Sequence, residues 1–392
     1  MSRSTLTNRE SGRIVIDTLC HMGVRHYFMS PGARSSPLIA ALAETNDITV
    51  TVHYDERGMS FAALGHAMAT GLPSVCITTS GSAVANLLPA CVEASHSGVP
   101  VIFITADRPP ELRGTGANQT ILQPGIFGTF ARLSNDLPCP DDPSTSKESL
   151  IKAICEALVV ATGDNPGPVH VNIPIREPLL EKKEDKAPTP IVPPQAPQIT
   201  FAPSPLSLGA FFSSEYGVVV IGRLSAREQK DVPEIIAWAS RLGWPVFCDA
   251  LSGARLMPGV IRHGDWILQQ NDVPSPDRVI HFGGALVSKR IGKWLSACRA
   301  GDYIQVRESP MPLDPWSQNP NLIRMGILEF CRSFPHLAPS SQDWSLAWKS
   351  IDTRCALVLQ EQLGASDRLS EPEIARLTAR VAFSLNQTLF LA

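Results

Sequence analysis

Five short apolar runs, most of them rich in β-branched residues, recur in the first 175 residues: HYFM (26–29), ITVTV (48–52), SVCIT (74–78), VPVIFIT (99–105) and PVHVNIP (168–174). Between the first four lie stretches with helical spacing. Thr7-x-x-Glu10 fits a capping box, and Ile14, Leu19 and Met22 fall on one helix face. Further helices are expected near 36–44, 59–70 and 83–95. Strands alternating with helices in this way need right-handed crossovers, which predicts an α/β fold with a mostly parallel sheet.

After residue 180 the pattern stops. EKKEDK and APTPIVPPQAPQITFAPSP, within 181–205, form a charge run and a Pro-rich stretch. A semi-extended linker is the simplest reading, with a Pro-rich ligand for a partner domain as the alternative. A second α/β unit follows, with strands expected at 217–221, 245–248, 278–282 and 303–306 and helices at 229–241, 344–363 and 371–384. The final TLFLA reads as a strand cut short, an expectation that a further domain is missing. The expected division is 1–180, a linker at 181–205, a central domain at 206–340, and 341–392 as the start of a truncated third domain.

At 392 residues the chain can hold two or three domains with substantial cores. Its net charge of −3 gives no footprint for nucleic acid or anionic membrane. No apolar run approaches the ~20 residues needed to span a bilayer, and MSRSTLTNRESGR lacks the apolar region of a secretory signal. Nine scattered cysteines without a C-x-x-C point to reduced thiols in a cytoplasm, with Cys76 and Cys91 as packing residues and no cysteine metal site.

In an open parallel sheet, ligands bind beyond the carboxyl ends of the strands. Four polar loops should lie there: SPGARSSP (30–37), HYDERG (53–58), TTSGSA (78–83) and TADRPPELRGTGANQ (105–119). They carry Arg34, Asp55, Glu56, Arg57, Arg108, Asn118 and Gln119. Either arginine taken alone fits a surface ion pair. Two arginines and an amide on one edge suit carboxylate or phosphate recognition better. Glu56 reads as a helix N-terminal acid or as a partly buried proton donor and acceptor. Ser80-Gly81-Ser82 reads as an N-cap or as a close approach for ligand. His53 is expected to orient its loop rather than to titrate in catalysis. With no G-x-G-x-x-G after the first strand and no G-x-x-x-x-G-K-[ST], a nucleotide-phosphate site is weakly supported. The residues thus describe a carboxylate-binding crevice with one candidate acid/base, and no reaction follows from that alone.

SPGARSSP, YDERGMSFAALGHA, TTSGSAVANLLPACVEAS, ITADRPPELRGTGANQTI and GPVHVNIPIREPL together resemble the family of 2-succinyl-5-enolpyruvyl-6-hydroxy-3-cyclohexene-1-carboxylate synthases, thiamine-diphosphate enzymes of menaquinone biosynthesis. The likeness runs from about residue 7 to the chain end. It implies a pyrimidine-binding domain followed by a central α/β domain. Glu56 matches the glutamate that hydrogen-bonds N1′ of the cofactor's aminopyrimidine, with Pro31, Ser80 and Gly81 as further cofactor contacts. The implied reaction decarboxylates 2-oxoglutarate and adds the succinyl-semialdehyde unit to isochorismate. Arg34, Arg108, Asn118 and Gln119, with Lys289 and Arg290 of FGGALVSKRIGKW, are the implied substrate contacts.

Two departures from the family pattern stand out. Ala33 occupies the place of a serine in the first loop, removing one hydroxyl worth about 1 kcal/mol if it is used. The Gly-Asp-Gly…Asn motif that holds diphosphate and Mg²⁺ in the family's third domain does not occur in residues 1–392. The expectation is that this polypeptide alone binds thiamine diphosphate weakly and that the metal ligands lie in a domain supplied elsewhere, in the same or a separate chain. The resemblance also implies a homodimer or homotetramer, because the cofactor bridges subunits. The alternatives are another thiamine-diphosphate 2-oxoacid decarboxylase or acetohydroxyacid-synthase relative, and an inactive binding or oligomerisation module.

Overall fold

The computed structural model describes residues 6–181, 208–270, 272–297, 302–310, 313–316, 320–335, 342–363 and 370–387. Most of the Pro-rich linker and the strand-like ending at 388–392 lie outside the described residues. The chain forms two compact units, the first built on residues 6–181 and the second mainly on those from 208 onward.

In the first unit the apolar runs become β1 (His26–Met29), β2 (Thr49–Val52), β3 (Ser74–Thr78), β4 (Val101–Asp107) and β6 (Val169–Pro174), joined by β5 (Leu133–Asp136). Their order is β2-β1-β3-β4-β6-β5 and every neighbouring pair is parallel. Period-two alternation divides each strand between two cores. Tyr27, Val75, Ile77, Ile102 and Ile104 pack with α1 (Asn8–His21), α2 (Ser36–Ala43) and α6 (Lys147–Thr162). Phe28, Cys76 and Phe103 face α3 (Glu56–Thr70) and α5 (Leu88–Ser97). Each such side chain, fully buried, contributes about 1.5–3 kcal/mol. The capping box at Thr7 is present, with Thr7 Oγ1 accepting the Glu10 N–H at 3.1 Å and Glu10 Oε2 accepting the Thr7 N–H at 2.9 Å. Cys76 and Cys91 are packing residues, as read; burial raises both thiols, Cys91 to about 12.

The helix expected over 59–70 starts three residues earlier, at Glu56, and two further differences lie at proline. The helix expected over 83–95 is broken into α4 (Ser82–Ala85) and α5, because Pro89 is tolerated only in the first turn of a new helix. β4 starts at Val101, directly after Pro100, which has no N–H to give a ladder.

The second unit repeats the plan. β7 (Gly217–Ile221), β8 (Val246–Cys248), β9 (Val260–Ile261), β10 (Arg278–Phe282), β11 (Tyr303–Val306) and β12 (Asn321–Ile323) form a parallel sheet in the order β12-β11-β10-β7-β8-β9. Its helices are α7 (Gly209–Phe212), α8 (Ala226–Gln229), α9 (Val232–Arg241), α10 (Gly264–Ile267), α11 (Lys289–Leu295), α12 (Ile327–Ser333), α13 (Asp343–Gln362) and α14 (Glu371–Ser384). The helix expected over 229–241 starts at Val232, with Pro233 in its first turn. One core joins Ile221, Ile235, Trp238, Phe282 and Phe330. The other joins Val220, Phe247, Trp294, Trp344 and Trp348. That second core corrects the boundary at 341. Trp344 and Trp348 of α13 are buried in it, and Trp344 Nε1 donates to the Gly217 C=O at 2.9 Å. Residues 343–362 therefore pack with the second unit.

Candidate functional site

Because β1 to β4 are parallel, their carboxyl ends share one edge, and the four polar loops leave from that edge together. The loop after β1 packs tightly on the loop after β3. A Cβ on Gly32 would come within 2.3 Å of the Thr79 Cβ, so only glycine fits.

Arg34 lies in a 3-10 turn, Ala33–Ser35, and is 5% exposed. Its Nη1 donates to the Ile175 C=O at 2.8 Å and its Nη2 reaches Glu177 Oε1 at 3.4 Å. Its Nε is buried without a partner. Burial, and then the like charge of Arg108, lower its pKa from the ordinary arginine value. Arg108 Nε in turn donates to the Asn118 C=O at 3.3 Å.

Gln119 holds a left-handed backbone (φ +58°), which is uncommon outside glycine and concentrates at functional sites. Its Nε2 donates to the Ser80 C=O at 3.0 Å. Gly81 also has positive φ (+85°), and a Cβ there would press to 2.8 Å from the Gln119 Cγ. Gly81 is the N-cap residue of α4 and, lacking a side chain, makes no side-chain cap, so Ser80-Gly81-Ser82 is a bare, close-packed turn. Thr78 Oγ1, Thr79 Oγ1 and Ser80 Oγ are buried along this turn without partners.

Glu56 is the first residue of α3, beyond the N-cap Asp55, whose side chain accepts the Arg57 and Gly58 N–H groups. Its Oε2 accepts Asn86 Nδ2 at 3.3 Å. His53 Nδ1 accepts the Asp55 N–H at 3.0 Å, which orients the loop as expected. Pro31 is exposed. Lys289 and Arg290 belong to the second unit, exposed at the start of α11.

Beneath the Ser80–Gly81 turn runs a buried network that sequence reasoning missed. Gln123 Oε1 accepts the Gly81 N–H at 2.9 Å, while its Nε2 donates to the Ala106 C=O and to Asn172 Oδ1. Asn172 Nδ2 donates to Asp107 Oδ2 at 2.9 Å and to Asp136 Oδ1 at 2.8 Å. Arg113 bridges the same two carboxylates, to Asp107 at 2.8 Å and Asp136 at 2.7 Å. Desolvation raises the Asp107 pKa against these partners. Thr105 Oγ1 donates to Asn172 Oδ1 and thus takes its own hydrogen bond from His170 Nε2, at 2.7 Å. The one available signal was ADRPPELR, which carries Asp107, Arg108 and Arg113. Arg108 faces the loop, and Arg113 turns inward.

Among the described residues no group of three or more His, Cys, Asp or Glu side chains is arranged to hold a metal ion. No described helix is long and apolar enough to cross a membrane.

Comparison with known proteins bears on what this edge serves. Residues 9–126 match a family model for the thiamine pyrophosphate enzyme N-terminal TPP binding domain. Residues 204–391 match the model for the middle domain of thiamine pyrophosphate enzymes. The 2-succinyl-5-enolpyruvyl-6-hydroxy-3-cyclohexene-1-carboxylate synthase of Rubrobacter xylanophilus is 38% identical over 95% of this chain and 68% of its own length. Those of Shewanella frigidimarina and Salinibacter ruber are each 33% identical, over 94% and 93% of this chain and 66% of their own lengths. The chain thus spans about two thirds of these relatives. Two thiamine pyrophosphate enzyme domains in series, with identity running through both units, show that the chain belongs to the 2-succinyl-5-enolpyruvyl-6-hydroxy-3-cyclohexene-1-carboxylate synthase family.

Proposed function

We propose that this chain serves the decarboxylation of 2-oxoglutarate and the transfer of the resulting succinyl-semialdehyde unit to isochorismate, the reaction its family resemblance implies. The observation that carries this reading is the pairing of two like charges on one sheet edge. Arg34 stays buried although Arg108 repels it, and the carboxylate it meets, Glu177, is exposed and 3.4 Å away. A bound carboxylate would relieve that repulsion, which stability alone does not explain.

The residues present also fit thiamine diphosphate. Thr78, Thr79 and Ser80 bury three hydroxyls without partners beside the Gly81 turn, which is unusual unless a polar ligand shares the space. Glu56, with Pro31, Ser80 and Gly81, would hold the aminopyrimidine side of the cofactor. When bound, the cofactor supplies the carbon nucleophile and the electron sink for decarboxylation. Glu56 holds a proton at the pyrimidine ring, Arg34 and Arg108 bind substrate carboxylates, and Asn118 and Gln119 orient them. Lys289 and Arg290 hold a further carboxylate. Mg²⁺ at the cofactor diphosphate, a homodimer or homotetramer, and a cytoplasmic setting complete the reading.

The test is cofactor-dependent release of CO₂ from 2-oxoglutarate, measured on the enzyme with Glu56 replaced by Gln. Loss of at least 100-fold in rate is expected, within the range a positioned acid/base contributes. An unchanged rate, or a preference for pyruvate over 2-oxoglutarate in the parent enzyme, would refute the assignment.

A further inference from the structure

Lys289 and Arg290 are the first two residues of α11. Cations are disfavoured in the first turn of a helix, so the pair sits where helix stability would not put it. The turn that delivers them is fastened by two carboxylates. Asp249, fully buried at the end of β8, accepts the Val287 N–H at 2.8 Å and the Ser288 N–H at 3.0 Å with Oδ2. Its Oδ1 accepts the Leu251 N–H at 3.0 Å. Ser288 is the N-cap of α11; its Oγ accepts the Ile291 N–H at 3.1 Å and donates to Asp265 Oδ1. The other oxygen of Asp265 accepts Arg255 Nη2 at 2.9 Å.

Among the described residues Asp249 makes no ion pair. All three hydrogen bonds to its carboxylate come from main-chain N–H groups, two of them in the residues just before Lys289. A carboxylate has acceptors on both sides, and the site uses both. Asparagine would have to turn an NH₂ toward either Leu251 or the Val287–Ser288 pair, so it cannot reproduce the set. Burying a charged group to satisfy a surface turn is costly, and a plain connection would not need it.

We propose that Asp249, acting with the N-cap Ser288, is a positioning residue that fixes the 287–288 turn and thereby aims Lys289 and Arg290 at a substrate carboxylate. This rests on the reading that Lys289 and Arg290 hold substrate. It adds a buried residue that does not itself touch the ligand.

A mutant cycle tests it. The chain is titrated calorimetrically with 2-oxoglutarate and with isochorismate, as the parent, as Asp249→Asn, as Lys289→Ala/Arg290→Ala, and as all three changes together. Asp249→Asn is expected to weaken binding of at least one substrate about 5- to 10-fold in the parent and not at all in the Lys289→Ala/Arg290→Ala background. Equal weakening in both backgrounds means a general structural role and overturns the proposal, as does no weakening in either. If Lys289→Ala/Arg290→Ala changes neither affinity, the underlying site assignment fails, and this inference falls with it. Ser288→Ala, which removes the cap from the half-buried side of the turn, enters the same cycle if Asp249→Asn does not fold, with the same outcomes deciding.

Discussion

Both units are six-stranded parallel sheets with polar loops at their carboxyl edges, yet they hold those loops in different ways. The first supports its edge from below with side chains: Gln123, Asn172, Asp107, Arg113, Asp136, Thr105 and His170 form one connected buried network ending at the Gly81 N–H. The second relies on main chain. The Gly222 N–H donates to the Phe282 C=O, the Gly284 N–H to the Arg223 C=O, and one carboxylate, Asp249, collects three more N–H groups. A networked edge can keep an arginine buried at the site. A main-chain edge presents its cations, Lys289 and Arg290, in the open. The difference follows from what must be stabilised, since a buried polar network offsets its desolvation only where its members are paired; among these seven side chains Arg113 Nε is the one buried polar atom left without a partner.

The sharpest way to break this contrast is to remove the central carboxylate of each edge. Asp107→Ala leaves Arg113 and Asn172 with Asp136 as their one remaining carboxylate and is expected to cost about 3 kcal/mol, the low end of the range for breaking a buried ion pair. Asp249→Ala leaves main-chain N–H groups without an acceptor but takes no carboxylate from a cation, and is expected to cost about 1–3 kcal/mol. Urea unfolding can assign each loss to its unit. All seven tryptophans, from Trp238 to Trp348, lie in the second unit, so their fluorescence reports that unit alone. Hydrogen exchange at β4 and β6 reports the first. Equal costs would mean that the two edges are held alike.

Acid should strike both units by the same mechanism. His170 and His281 are buried, and burial pushes each imidazole down to about 4 from 6.5. Each is satisfied as the neutral form. His170 donates to Thr105, and His281 lies 2.9 Å from both the Gly284 C=O and the Tyr303 hydroxyl. Between about pH 6.5 and 4 the unfolded chain binds protons that the native state refuses. Stability is therefore full above about pH 6.5 and falls as pH drops toward 4, by about 3 kcal/mol per histidine. Unfolding midpoints at pH 7 and pH 4.5 should drop for both units in the parent. His170→Gln should flatten the first unit's loss and leave the second's. If it flattens both, the units do not unfold independently.

These two tests also separate what the sequence could show from what it could not. The interior strands were legible because each is an apolar run between turn signals, and the shared edge followed from their being parallel. β5, β9 and β12 were not, since an edge strand such as LSND is short and half polar. Arg34, Arg108 and Glu56 were legible as charge in loops that need none. Gln123 and Asn172 were not, because their partners lie 42 and 65 residues away and nothing local marks them as buried. The left-handed backbone of Gln119 was equally hidden, in a residue that seldom adopts it. Pro89 and Pro233, by contrast, marked the helix breaks openly, and a first-turn proline rule would have found both.

The smallest expected effect concerns helix caps, and it asks whether the contrast extends beyond the edges. α1 carries a capping box and buries Val15, Ile16 and Leu19 in the first core, so its first turn is tied to the fold of its unit. Thr7→Ala should cost about 1 kcal/mol of that unit's stability, read as a lowered urea midpoint. α14 is capped in the same manner, with Glu373 accepting the Ser370 N–H at 2.7 Å and its Oγ–H at 2.8 Å. Among its fourteen residues, however, only Glu373 is buried. Ile374, Leu377 and Val381 are all about half exposed, so this helix brings little apolar burial to the second unit. Ser370→Ala should therefore speed hydrogen exchange within α14 while leaving the tryptophan-detected midpoint of the second unit unmoved. A shift in that midpoint comparable to the Thr7→Ala loss would show that α14 is as firmly part of its unit as α1 is of the first.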